Sequence, residues 1–189
     1  MCKTVYLTSR RFDVPSKKFK EALAVELRNR NIEVVVGYSH DLFNSFSKHN
    51  TYGIALAFDF YRDEKTGSGL VLNKNCSLIG KDFAYNISKK MDALMPYVSW
   101  REFNFVSSDD KQWFKFFNKV SASVKGIFYL CTLNNSNDWE SYSIAFDEIV
   151  KMFSDEIVRC LRSDYDADNY RKRVKLAEIK NNKIKEFLR

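Results

Sequence analysis

Residues 52–70 read YGIALAFDFYRDEKTGSGL, an apolar run of strand length followed by a polar turn with two glycines. A strand that is apolar on both faces is typical of a sheet buried between two layers. One residue departs from this pattern, because Asp59 stands between Phe58 and Phe60. An ionised carboxylate in an apolar strand is costly unless it is paired, metal-bound or at the wet end of the strand. Asp59 therefore marks either a functional site or the end of the buried run.

Strand-type and helix-type segments alternate on both sides of this stretch. Further strands are predicted at 3–8, 32–38, 70–73 and 126–132. Apolar residues recur at helical spacing over 19–27, 78–94, 113–120 and 142–161. The strand, helix, strand order at the start is typical of a parallel, right-handed crossover. The sequence therefore predicts an α/β fold with a mainly parallel central sheet covered by helices.

Composition places the chain in the class of globular proteins. With 189 residues, 45% of them hydrophobic, it can bury one substantial core, and its four scattered cysteines are expected to be free thiols. No apolar run approaches the roughly 20 residues of a membrane helix. Arg10 and Arg11 interrupt the N-terminal segment before a signal-peptide core could form. We expect a cytoplasmic protein without a membrane partner.

The positive charge is concentrated near the C-terminus. Residues 159–189 hold ten Lys or Arg and five Asp or Glu, so most of the net charge of +7 lies there. We predict an α/β domain at 1–162 and a basic, helical extension at 163–189. Basic side chains neutralise phosphates and aromatic rings stack on bases. The extension offers such side chains at Tyr170, Arg171, Lys172, Arg173 and Lys175. Trp100 and Arg101 form a second such cluster in a predicted loop. Nucleic acid or a ribonucleoprotein is the expected partner.

Two metal sites are conceivable from residue types alone. His40 and His49 could bind a metal with Asp41 or Cys76, but their irregular spacing favours solvated or capping roles. Carboxylates that converge at strand ends could instead hold Mg²⁺ for phosphodiester cleavage. The residues in question are Asp59, Asp63, Glu64, Asp109, Asp110 and Asp138.

The order of elements resembles the zinc-dependent N-acetylmuramoyl-L-alanine amidases of the phage endolysin type. The resemblance covers roughly residues 20–161. It is carried by YGIALAFDFY followed by GSGLVLN, and by ASVKGIFYLCTLNNSNDWE followed by a helix. It implies an amidase-like fold and, for the family, zinc-dependent cleavage of a cell-wall amide.

The chain departs from that family at the metal ligands. The family holds zinc with a His in an N-terminal loop, a Glu on the first helix and a His of the strand motif. Here the first strand runs into TSRRF, and Asp59 stands at the strand histidine. Because catalytic zinc needs about three protein ligands, the resemblance implies a degenerate site without a cofactor. Asp59 would then occupy a former metal-site position, next to a basic residue such as Arg62.

These observations lead to three function hypotheses. The first is a non-catalytic binding protein, a pseudoenzyme from a phage or mobile element that inhibits host machinery in an anti-defence role. An inhibitor of an RNA-guided nuclease is one form of it. The alternative is an enzyme, either a divergent cell-wall amidase or a Mg²⁺-dependent nuclease. A third is an assembly protein that forms a homo-oligomer through an aromatic surface.

Overall fold

A computed structural model describes residues 4–9, 13–38, 51–63, 66–73, 76–106, 116–117 and 120–162. The predicted extension at 163–189 lies outside these residues. Three cysteines, Cys76, Cys131 and Cys160, are free thiols, as predicted. Within the described residues, no helix has the length and apolar character needed to span a bilayer.

In the described part of the chain, six strands form one sheet in the order β2-β1-β3-β6-β4-β5. Strands β2, β1, β3 and β6 are mutually parallel, β4 runs antiparallel to β6, and β5 runs parallel to β4. The predicted α/β fold with a mainly parallel sheet is thus confirmed. The strands are β1 (Val5–Ser9), β2 (Val34–Tyr38), β3 (Thr51–Tyr61), β4 (Ser68–Asn73), β5 (Trp100–Val106) and β6 (Ser121–Thr132).

The described helices begin and end with recognisable local signals. Pro15 lies in the first turn of α1, and Asn31 follows its end with a φ of 61°, a left-handed conformation that asparagine tolerates. The side chain of Ser77 caps α2 by accepting a hydrogen bond from the N–H of Gly80. The bounds are α1 (Val14–Asn29), α2 (Leu78–Leu94), α3 (Ser136–Ile144) and α4 (Phe146–Leu161).

The two faces of the sheet carry different cores. Alternate residues of β3, such as Phe58 and Phe60, pack with the helices in the larger core. The opposite face holds a smaller cluster that includes Tyr6, Ile127 and Phe116. Both faces are therefore buried, and Asp59 points to the face opposite Phe58 and Phe60.

Two elements differ from the sequence prediction. The Trp100–Arg101 region was expected to be a loop, but it belongs to β5, because β4 supplies its backbone partners. The helix expected over 142–161 is two helices, since α3 ends at Ile144 and α4 begins at Phe146. Ala145 between them has φ −87° and ψ 4°.

Candidate functional site

The carboxyl ends of β1, β3 and β6 meet at one edge of the sheet because these strands are parallel. Ser9 of β1 lies level with Phe58, and Asp59 lies level with Tyr129 of β6. Helix α1 also begins at this edge, a few residues after β1 ends. In α/β proteins, ligands bind outside the carboxyl ends of the strands. The candidate site therefore lies at this edge.

Asp59 is fully buried, and it is paired. Its Oδ1 accepts a hydrogen bond from the Phe60 N–H at 2.9 Å. Nη1 of Arg62 lies 3.4 Å from the same oxygen. Arg62, the basic neighbour expected from the sequence, thus offsets the cost of burying this carboxylate.

Asp13 is a second buried carboxylate at this edge. It stands immediately before α1, where the N-terminus of the helix favours a negative charge. Its Oδ1 lies 3.2 Å from Nη2 of Arg62, and the hydroxyl of Ser16 donates to its Oδ2. Sequence reasoning missed Asp13, which precedes the helical spacing predicted over 19–27.

Arg62 joins the two carboxylates into one group, which we call the Arg62 cluster (Asp13, Asp59 and Arg62). The Arg62 side chain is 45% exposed, so its guanidinium lies between two buried acids and solvent. Its backbone carbonyl accepts a hydrogen bond from the side-chain amide of Asn134, which follows β6. The cluster therefore combines the start of α1 with the ends of β3 and β6.

Asp138 supports a loop at the same edge of the sheet. Its Oδ2 accepts a hydrogen bond from the Gly67 N–H at 2.8 Å. Gly67 has a φ of 148°, a conformation that other residues rarely adopt. Asp138 thus fixes the turn that leads into β4, and the structure gives it a different role from the predicted Mg²⁺ ligand.

Tyr142 and Cys131 are buried behind the Arg62 cluster. Burial, together with the nearby Cys131 and Asp13, raises the pKa of Tyr142. Burial and the charge of Asp138 raise the pKa of Cys131, so its thiol is a weak nucleophile. Among the described residues, the Tyr142 hydroxyl has no hydrogen-bond partner.

Replacing Tyr142 with phenylalanine should leave the free energy of unfolding unchanged or raise it by up to about 1 kcal/mol. A buried hydroxyl without a partner contributes no bond that the substitution could remove. Urea unfolding of both proteins measures the effect, with Tyr85→Phe, on the exposed side of α2, as the control. A loss well above 1 kcal/mol would mean that the hydroxyl is bonded to a residue outside the described ranges.

An aromatic cleft of about 200 Å³ is lined by residues of α1, α3 and α4. Val14, the neighbour of Asp13, forms one wall, and Trp139, Tyr142 and Phe146 form the other. Lys18 also lines the cleft, with its Nζ 5.1 Å from the centre of the Phe146 ring. A concave apolar surface with a few charged groups is suited to binding a small organic ligand.

The described residues do not fit a zinc site. The part of the chain that the structure covers holds no group of three His, Cys, Asp or Glu side chains able to bind a metal. At the position of the expected site, a guanidinium already lies between the two carboxylates. His40, His49, Glu64, Asp109 and Asp110 lie outside the described residues.

Of the residues predicted to bind nucleic acid, the two that the structure describes lie three strands from β3, which carries Asp59. Trp100 and Arg101 begin β5 at the edge of the sheet, on the far side of β4. The other residues of this prediction, Tyr170, Arg171, Lys172, Arg173 and Lys175, lie outside the described residues. A nucleic-acid partner and a cytoplasmic location remain predictions.

The fold is that of the N-acetylmuramoyl-L-alanine amidases. The chain is similar to the catalytic domain of an endolysin that targets Clostridia difficile, with 12% identity over 83% of this chain and 97% of that one and a TM-score of 0.62. It is also similar to the amidase AmiC2 of Nostoc punctiforme, with 7% identity, coverage of 85% and 98%, and a TM-score of 0.61. An amidase from Clostridium difficile 630 matches with 11% identity, coverage of 87% and 99%, and a TM-score of 0.56. No family model and no curated protein matches the sequence.

These comparisons contradict one expectation from the sequence. The chain was expected not to be an enzyme, but the three solved structures above, which share its fold, are named as amidases or as an endolysin catalytic domain. The expectation relied on the missing zinc ligands and gave less weight to the fold that the chain shares with amidases.

Proposed function

We propose that this chain is a divergent cell-wall amidase. It would hydrolyse the amide bond between N-acetylmuramic acid and L-alanine, or a close relative of that bond. One observation carries the proposal: the likeness to amidases covers 83–87% of this chain and 97–99% of the three structures above. A domain of this fold and nearly this length is therefore the expected unit of activity.

The Arg62 cluster offers groups that suit amide hydrolysis. Arg62 can donate a hydrogen bond to the carbonyl oxygen, where negative charge develops as water adds to the carbon. Asp13 can take the proton from that water and return it to the amine as the C–N bond breaks. Asp59 is fully buried and acts through Arg62, which makes it a positioning residue. None of these steps is routed through a metal ion.

The aromatic cleft supports the same location for the substrate. It is lined by Val14, the residue that follows Asp13 in the sequence, and by the partly exposed ring of Trp139. Aromatic rings combine an apolar body with polar edges, and they provide contact area for an organic ligand. Lys18 at this cleft would favour a substrate that carries a carboxylate.

Replacing Asp13 with asparagine should lower kcat/KM for a soluble muropeptide by about 100-fold, because the variant loses the proton acceptor. The measurement is the release of new amino groups from the muropeptide. Asp147→Asn is a matched control, since Asp147 is an exposed aspartate in the first turn of α4 and lies outside the cluster.

Two results would count against the proposal. Absence of muropeptide cleavage by the unmodified protein, with and without added divalent metals, would remove the amidase function. Full activity of Asp13→Asn would place the chemistry away from the Arg62 cluster.

A further inference from the structure

We propose that the guanidinium of Arg62 takes the place of a divalent cation between Asp13 and Asp59, so that no metal ion binds there. The two carboxylates hold this guanidinium whether or not the chain cleaves the substrate proposed above.

The two carboxylates come from separate elements and converge on one side chain. Asp13 precedes α1 and Asp59 lies near the end of β3, yet both contact the guanidinium of Arg62, at 3.2 and 3.4 Å. Both acids are buried. Like charges buried this close together repel each other, and each is costly to desolvate, so the pair requires a cation.

A guanidinium is suited to this position. It is planar and permanently charged, and its two terminal nitrogens point in different directions. Here Nη2 faces Asp13 and Nη1 faces Asp59. A divalent ion at the same place would have to displace this group. Once the guanidinium is absent, the two carboxylates can bind such an ion, and water can complete its coordination.

The position of Arg62 is set by the fold. The Leu133 N–H donates to the Tyr61 carbonyl at 2.9 Å, and the Asn134 amide donates to the Arg62 carbonyl. These bonds fasten the segment that carries the guanidinium to the end of the central strand β6. The cation is therefore part of the chain, and chelators should not remove it.

Removing the guanidinium should open a site for a metal. In Arg62→Ala we expect a lower Tm without metal and a rise of about 5 °C or more when Mn²⁺ or Zn²⁺ is present at about 100 times its Kd. The unmodified protein and Arg62→Lys should show no such rise, because each keeps a cation between the acids. Thermal unfolding with EDTA, Mn²⁺ or Zn²⁺ measures the effect.

Arg28→Ala is the matched control, since Arg28 is an exposed arginine that donates to the Val34 carbonyl and is not part of the cluster. It removes the same charge and should gain no response to metal. If Arg62→Ala does not fold alone, refolding with Mn²⁺ or Zn²⁺ supports the inference. Failure to refold with either metal overturns it.

Other outcomes separate this inference from the proposed function. A metal ion held by the unmodified protein and lost in Asp59→Asn would overturn the inference, and so would an Arg62→Ala protein that folds but ignores metals. Muropeptide cleavage that requires such an ion would keep the amidase function and remove the inference. If the protein cleaves no muropeptide and only Arg62→Ala binds a metal, the amidase function is removed and the inference is kept.

Discussion

Replacing Phe153 with alanine should lower the free energy of unfolding by about 3–5 kcal/mol, since it leaves a large cavity in the core. Phe153 of α4 is fully buried, and its ring lies 4.9 Å from that of Phe128 in β6. The rings of Phe19 in α1 and Phe58 in β3 are each 5.5 Å away. One side chain thus joins two helices to the two central strands. Urea unfolding measures the loss.

Ile144→Ala provides the comparison for this experiment. Ile144 is also a large apolar residue, but it is 80% exposed, so its replacement should change stability by less than about 0.5 kcal/mol. Similar losses in the two variants would mean that the four rings do not form the centre of the core.

Replacing Arg159 with methionine should cost about 3 kcal/mol. Its Nη2 lies 2.6 Å from Asp82 of α2, and its Nε lies 2.8 Å from Glu156 on its own helix. Both acids are buried, and removing one partner of a buried ion pair leaves the other uncompensated. Lys90 remains 3.1 Å from Glu156, which limits the loss. Urea unfolding at pH 7 measures it.

The same substitution should change how stability depends on pH. Burial alone would raise the pKa of Glu156, but hydrogen bonds from Arg159 and Asn86 bring the pKa below its ordinary value of 4.5. A carboxyl with a lowered folded pKa stabilises the protein above pH 4.5, and this contribution is lost as pH falls through the folded pKa. The unmodified protein should therefore lose stability in acid more steeply than Arg159→Met.

Arg30→Met serves as the control for the charge network. Arg30 pairs with Asp155 on α4, whose side chain is 49% exposed, and exposed pairs contribute up to about 1 kcal/mol. Equal pH slopes for the unmodified protein and Arg159→Met would contradict the role given to the buried network.

The fold was predictable where the burial pattern is strong. The apolar runs at 52–60 and 126–132 predicted the two central strands, because a strand that is buried on both faces is apolar at nearly every position. Strand β5 gave no such signal, since Arg101, Glu102 and Asn104 interrupt its aromatic residues, and the strand depends on pairing with β4. The break at Ala145 was also invisible, because the helical spacing of apolar residues continues across it.

Of the two buried carboxylates in the candidate site, one was predicted from the sequence and the other was not. Asp59 was recognised because a carboxylate is unexpected inside an apolar strand. Asp13 was missed because an aspartate before a helix is a common cap and normally carries no further meaning. Asp13 contacts Arg62, which lies 49 positions later in the sequence, because β3 pairs with β1. Local residue spacing does not encode that pairing.

The strand order has a consequence for how the chain is made. Strand β6 lies between β3 and β4 at the centre of the sheet, yet it is the last of the described strands to leave the ribosome. Until residue 132 has emerged, the eleven residues of β3 present an open, apolar edge to the cell. The unpaired backbone groups of such an edge can form hydrogen bonds with strands of other chains. The nascent protein is therefore most prone to aggregation, and most in need of a chaperone, while its middle third is being synthesised.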